Sequence, residues 1–181
     1  MNIGKSKNLI KMQEIEVKIL EIDEDEIRKK SDSFADKIND NVLLTTITFS
    51  NPYNDVLVRL RKINDEIIFT TKIRIPDKKF KIRKEYETKI NDLKIFKKQL
   101  EILGFKQVML QEKKRTTYKY KNSEVVIDIY PKMPPYIEIE GPKEEIKEIV
   151  DKLGYSMENT TQINVYGLFE KYKIDAKELK F

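Results

Sequence analysis

The run Glu14-Ile15-Glu16-Val17-Lys18-Ile19-Leu20 alternates charged and branched apolar side chains. Successive side chains of a strand point to opposite faces, so Glu14, Glu16 and Lys18 project together while Ile15, Val17 and Ile19 face the other way. A segment of this kind is half of something: its apolar face needs a core and its backbone needs neighbouring strands. The same alternation, rich in β-branched and aromatic residues, returns over Val42 to Phe49, Val56 to Lys62, Glu66 to Ile75, Phe80 to Thr88, Phe105 to Tyr120, Glu124 to Ile129 and Pro135 to Glu140. That makes eight strands. Short turns at Asn64-Asp65 and Asn122-Ser123 make the strands they join antiparallel neighbours. About eight strands can close into a barrel that holds a small ligand and leaves no exposed edge.

Between the strands lie segments of helical period. Asp92 to Leu103 puts Leu93, Phe96, Leu100 and Leu103 on one stripe, and Pro142 to Leu153 does the same with Ile146, Ile149, Val150 and Leu153. Gly104 and Gly154 follow as helix stops. Another helix is expected over Glu24 to Ile38 through Ile27, Phe34, Ala35 and Ile38, and a short one after Asn164 with Val165, Leu168, Phe169 and Tyr172. The expected class is α+β: an eight-stranded antiparallel β-barrel, or tunnel, with helices packed on its outside. Residues 1–181 read as a single domain with a core of about 12–175, because no linker, low-complexity tract or repeat divides them.

Composition narrows the chemistry. The chain has no cysteine and no histidine, which excludes thiol nucleophiles, zinc ribbons and histidine-based triads. Carboxylates, lysines, arginines, tyrosines or a metal-activated water remain. Only five glycines are present, which argues against a glycine-rich phosphate loop. A net charge of +5 suits a polyanionic partner, although a mixed lysine-rich surface is also an ordinary solubility pattern. No apolar run is long enough to span a membrane and the start lacks a signal-like block, so a soluble cytoplasmic protein is expected.

The charged faces repeat. Arg59 and Arg61 share one, Lys72 and Arg74 another; Arg83, Glu85 and Glu87 form a triple; Lys113 pairs with Arg115, Asp128 lies beside Val126 and Tyr130, and Glu138 accompanies Glu140. The solvated face of an amphipathic strand accounts for any one of these alone. Arginine with a second cation two residues away on several strands is the pattern of a bidentate phosphate ligand. Carboxylates paired on one face suit a hard divalent cation and repel without one.

In order along the chain these motifs resemble the CYTH superfamily, the triphosphate tunnel metalloenzymes, which include class IV adenylyl cyclases, thiamine triphosphatases and inorganic tripolyphosphatases. The resemblance starts at the ExExK signature of Glu14, Glu16 and Lys18. It continues through Leu57-Val58-Arg59-Leu60-Arg61, Thr71-Lys72, Arg83-Lys84-Glu85-Tyr86-Glu87, Lys113-Lys114-Arg115, Val126-Ile127-Asp128 and Tyr136-Ile137-Glu138-Ile139-Glu140. It implies a cofactor of Mg2+ or Mn2+ held by Glu14, Glu16, Glu138 and Glu140, with Glu87 and Asp128 as helpers. It implies a triphosphate clamp of Lys18, Arg59, Arg61, Lys72, Arg83, Lys113 and Arg115, with Glu85 holding a clamp arginine, and a catalytic group of Lys18, Glu14 and Glu16. Where many members carry Asp-x-Tyr in the second strand, this chain has Thr46-Ile47-Thr48, which puts tyrosine-assisted chemistry there in doubt.

The expected activity is metal-dependent hydrolysis of tripolyphosphate or a small organic triphosphate, with Lys18 relaying a proton or holding the attacking water. A class IV adenylyl cyclase uses the same clamp on ATP and releases cyclic AMP and pyrophosphate, and a non-catalytic polyphosphate binder is the third reading. The tract Tyr118-Lys119-Tyr120-Lys121 is the one hint of RNA contact, and it reads more simply as a strand end with snorkelling lysines, so nucleic acid is not an expected partner. Oligomeric state is left open.

Overall fold

The computed structural model describes residues 15–50, 56–75 and 82–181, without the side chains of Arg74, Ile75, Ile82 and Arg83. In chain order the elements are β1 (Glu16–Leu20), α1 (Glu24–Asp32), β2 (Asp36–Ser50), β3 (Val56–Ile63), β4 (Glu66–Ile75), β5 (Ile82–Ile90), α2 (Leu93–Ile102), β6 (Lys106–Tyr120), β7 (Ser123–Ile129), β8 (Tyr136–Glu140), α3 (Lys143–Lys152), α4 (Val165–Lys171) and β9 (Glu178–Leu179). The class is α+β, and the strand order is β1-β8-β7-β6-β2-β3-β4-β5. Among the described residues this order is an open path, with which a tunnel-like barrel remains compatible. The short β9 has no counterpart among the expected strands; it pairs in parallel with β6 at Leu110 and Gln111. No helix among the described residues is long and apolar enough to cross a membrane.

The described residues fall into two compact units, one of 15–45 and 110–181, the other of 46–109, so that β2 and β6 each contribute to both. In the first unit, Val17, Ile19, Val125, Ile127, Ile137, Ile139 and Tyr118 from one sheet face pack with Ile27 of α1, with Ile146, Ile149 and Val150 of α3 and with Leu153, its C-cap. The expected helical stripe of α3 is therefore a core stripe. The helix stops as the glycine requires: Gly154 takes φ +83°, and the Tyr155 N–H donates to the Val150 carbonyl at 3.1 Å.

Helix α1 starts where expected, with Asp23 accepting from the Glu26 N–H at 2.9 Å and acidic residues in the first turn. It ends at Asp32, not at Ile38 as the apolar period suggests. Polar side chains take over the next segment and make it strand. The Asn39 side chain accepts from the Thr117 N–H at 3.1 Å, and the Asn41 N–H donates to Thr116 Oγ1 at 3.0 Å. Arg28 ties α1 to the same segment through Asp40 (2.6 Å) and Asn41 (3.1 Å), and to β6 through Thr116 (2.9 Å). Ile38 thus sits on β2 and is 62 % exposed.

At the turn into α3, a Cβ on Gly141 would lie 2.0 Å from Ser123 Oγ and 3.0 Å from the Ser123 Cα. Ser123 is fully buried and its hydroxyl donates to Glu145 at 2.7 Å, so it has nowhere to go. Gly141→Ala is expected to destabilise the fold by about 1–3 kcal/mol, as overpacking does. Urea unfolding of the variant against wild type measures it.

The second unit is built on the meander β3-β4-β5, in which Arg59 faces Thr70 and Thr70 faces Glu87, while Lys72 faces Glu85. Ile47, Phe49, Val58, Leu60, Leu100 and Met109 are buried, and Phe96 of α2 meets Phe69 of β4 with ring centroids 4.8 Å apart. Leu103, expected in the apolar stripe of α2, is the C-cap and is 62 % exposed. Gly104 at φ +89° ends the helix there, and the Phe105 N–H returns to the Leu100 carbonyl at 3.0 Å.

Candidate functional site

In the unit of 15–45 and 110–181, the sheet face opposite the apolar core carries charge in rows. Antiparallel register places Glu16, Glu140 and Glu124 side by side across β1, β8 and β7, then Lys18 beside Glu138, then Tyr136, Asp128 and Arg115. The charges bond along and between these rows. Lys18 Nζ lies 2.7 Å from Glu16 and 3.3 Å from Glu138. Arg115 donates to both oxygens of Asp128, at 2.7 and 2.6 Å, and to Glu138 at 2.9 Å. Lys113 reaches Asp128 at 2.6 Å, and the Tyr136 hydroxyl lies 3.4 Å from the same oxygen.

Burial makes these contacts consequential. The Asp128 side chain is wholly buried and that of Lys18 is 3 % exposed. Burial would push the Asp128 carboxyl up, but the charges of Arg115 and Lys113 overcome it and hold the group well below the usual carboxylate range. Burial also pushes Lys18 down, yet Glu138 and Glu16 more than offset it and leave the ammonium above its ordinary value. Glu138 is held low against burial and the nearby Asp128 by Lys113, Arg115 and Lys18. Burial raises Tyr136 far above the usual phenol range, so its hydroxyl keeps its proton. Glu16, Asp128 and Glu138 thus balance Lys18, Lys113 and Arg115.

The unit of 46–109 holds a second cluster. Glu85, 9 % exposed, accepts from Arg59 at 3.3 Å and Lys72 at 2.5 Å. Glu87 accepts from Thr70 at 2.8 Å and Arg59 at 3.4 Å. Burial would raise the Glu87 carboxyl, but the Thr70 hydroxyl and nearby arginines keep it below its ordinary value. Arg61 lies two residues from Arg59 on the same β3 face, opposite Ile68.

Of the residues singled out from the sequence, Glu16, Lys18, Lys113, Arg115, Asp128 and Glu138 are brought together in one cluster, with Glu140 opposite Glu16. Arg59, Lys72, Glu85 and Glu87 meet in the other. Glu14 lies outside the described residues, and for Arg83 the backbone alone is described, paired with Arg74. Thr48, at the departure from Asp-x-Tyr, is a buried β2 residue. Sequence reasoning passes over Tyr136, Thr70 and Glu124 as site-face residues. Each lies two or four positions from a residue it does choose, so the alternation itself carries the signal.

The donor set for a metal is carboxylate oxygen without thiol or imidazole, which is the chemistry of Mg2+ or Mn2+. Glu16 and Glu140, directly opposite each other, are like charges that a cation between them would relieve. Among the described residues no three metal-ligating side chains converge, since Glu16 and Glu138 are turned to lysine and arginine.

The CYTH domain profile matches residues 12–163, which includes both clusters. The chain belongs to the CYTH domain family. No curated protein matches its sequence. Solved structures share its fold: PH1012 from Pyrococcus horikoshii is 24 % identical, with a TM-score of 0.74 over 86 % of this chain and 99 % of its own. PH1819 from the same organism is 26 % identical, with a TM-score of 0.65 over 89 % and 99 %. A Vibrio parahaemolyticus protein whose name proposes an adenylate cyclase is 12 % identical, with a TM-score of 0.75 over 88 % and 98 %, and at that identity it shows the fold alone.

Proposed function

We propose that this CYTH protein hydrolyses a triphosphate, either inorganic tripolyphosphate or a small organic triphosphate, with Mg2+ or Mn2+. The observation that carries the reading is the buried, self-balanced cluster around Asp128 and Lys18. An anion alone must take Lys113 and Arg115 from Asp128, and a divalent cation alone must take Glu16 and Glu138 from Lys18 and Arg115. Either exchange strands buried charge, which is costly. A metal and a polyphosphate arriving together satisfy both halves.

In this reading Lys113 and Arg115 bind phosphate oxygens, Arg115 as a bidentate donor. Arg59, Arg61, Lys72 and Arg83 are assigned the same class of ligand, with Glu85 orienting Arg59 and Lys72. Glu14, Glu16, Glu138 and Glu140 would hold the metal, which supplies Lewis-acid polarisation of the phosphoryl group. Asp128, with both oxygens engaged, orients Lys113 and Arg115. Lys18, buried between Glu16 and Glu138, is placed to hold the attacking water or a phosphate oxygen, or to relay a proton. Water attacks the terminal phosphorus, the bond to the bridging oxygen breaks, and orthophosphate and diphosphate leave while the basic groups stabilise the charge on the leaving oxygen.

Purified protein incubated separately with tripolyphosphate, ATP and thiamine triphosphate, each with and without Mg2+ or Mn2+, tests this directly. Metal-dependent orthophosphate release that is lost in Glu16→Gln is the expected result. Cyclic AMP and pyrophosphate from ATP would make the protein a cyclase instead, and tight binding without turnover would reduce it to a binder. Calorimetry adds a stricter check: each partner alone should bind at least about tenfold more weakly than in the presence of the other.

A further inference from the structure

The profile match ends at residue 163, yet the chain beyond it is tied to the charged cluster of its own unit. Just before it, Thr161 exchanges backbone hydrogen bonds with Lys18 at 2.8 and 2.9 Å. Glu21, at φ +57° after β1, accepts from Lys171 at 2.9 Å and Tyr172 at 2.7 Å. Further on, the Lys177 carbonyl accepts from the Leu110 N–H at 3.0 Å, three residues before Lys113.

One contact reaches the site through an aromatic relay. Phe169 of α4, 4 % exposed, meets Tyr130 edge-to-face at 5.5 Å between centroids and 85° between planes. Tyr130 lies parallel to Tyr136, 6.2 Å away, and Tyr136 touches Asp128. The Lys113 ammonium sits 5.5 Å from the Tyr130 ring centroid and donates to Asp128 at 2.6 Å. Asp128 grips Lys113 with a full charge, whereas the ring carries none and attracts the ammonium weakly. A lysine that must leave a carboxylate for a ligand needs a surface of that kind to stay aimed.

We infer that Phe169 is a positioning residue for Lys113, acting through Tyr130, so that the segment beyond the shared family region sets the aim of one phosphate-binding cation. This rests on the triphosphate reading for its kinetic consequence, but not for its structural one. The competing explanation is that Phe169 merely fills the core beneath α4. Leu168, its fully buried neighbour on the same helix, supplies the control.

In the full-length protein, Phe169→Leu keeps an apolar side chain and removes the ring, and Phe169→Ala and Leu168→Ala accompany it. The Lys113 side-chain NMR resonances, assigned by their loss in Lys113→Arg, report the Tyr130 ring current whether or not the protein turns over any substrate. The expected result is that Phe169→Leu melts close to wild type, shifts the Lys113 resonances, and raises KM for tripolyphosphate about tenfold with kcat nearly unchanged. Leu168→Ala lowers the melting temperature and leaves the Lys113 resonances and KM in place. Unmoved Lys113 resonances in both Phe169 variants, or an equal shift in Leu168→Ala, would overturn the inference. Wild-type protein that hydrolyses no triphosphate would overturn the functional reading alone, because the resonances still decide the role of Phe169.

Discussion

Asp128→Asn is expected to cost the fold about 3–5 kcal/mol, the usual penalty for breaking a buried ion pair from one side. The carboxylate is wholly buried and receives Lys113 once and Arg115 twice, all at 2.6 to 2.7 Å. An asparagine of the same shape can accept with one oxygen, but it turns an amide donor toward cations and removes the carboxylate that Lys113 and Arg115 share, leaving Glu138 as the acid beside Arg115. The pH dependence follows from the same contacts. Because Asp128 and Glu138 are held below their ordinary values in the folded state, their contribution is full above the unfolded carboxylate range and is lost as pH falls through their folded values. Stability of the wild type should therefore decline as pH drops below about 4. Urea unfolding across that range should show a shallower decline in Asp128→Asn, since one of the two groups no longer titrates. Equal pH slopes in the two proteins would remove Asp128 from the account.

Lys18→Met is the second large effect, and its two consequences have opposite signs. Lys18 is buried between Glu16 and Glu138, and in the triphosphate reading its charge would face the developing negative charge. Removing one such preorganised group typically costs about 10²–10³ in rate, and that loss is expected for triphosphate hydrolysis here. The same substitution releases Glu16 and Glu138 from their ammonium partner. Binding of Mn2+ in the absence of substrate should therefore tighten in the variant, as calorimetry or electron paramagnetic resonance would show. A variant that was simply misfolded would lose both properties, so tighter metal binding beside lost turnover identifies an electrostatic cause.

Much of this arrangement is legible in the sequence because alternation is a strong signal. Spacing alone puts Lys113 with Arg115, Glu138 with Glu140, and Arg59 with Arg61 on shared faces. Alternation says nothing about partners across the sheet. The residue types suggest a turn at Asn122-Ser123, whereas the chain turns one residue earlier, with Lys121 at φ +51° and Ser123 already in β7. The earlier turn sets Arg115 opposite Asp128; the later one would have kept every side chain on its face and set Thr117 there instead. The face is readable and the ion pair is not. Ile38 and Leu103 fail for a different reason, because local apolar period continues past the points where Asn39 and Asn41 take up strand pairing and Gly104 ends α2. The relay from Phe169 to Tyr130 joins residues 39 positions apart and has no local signature.

The carboxylates that stand beside Lys18, Lys113 and Arg115 also bear on how a turnover would end. Once a triphosphate has been cut, each fragment carries fewer oxygens than the molecule that entered, and its hold on the cations weakens. Asp128 and Glu138 stand within hydrogen-bond reach to reclaim them. Departure of product is then not the opening of bare charge to a dry interior but a return to pairings the folded chain already favours. In the triphosphate reading the resting ion pairs would act as a built-in competitor, set against the fragments that hydrolysis leaves more than against the intact substrate with its metal.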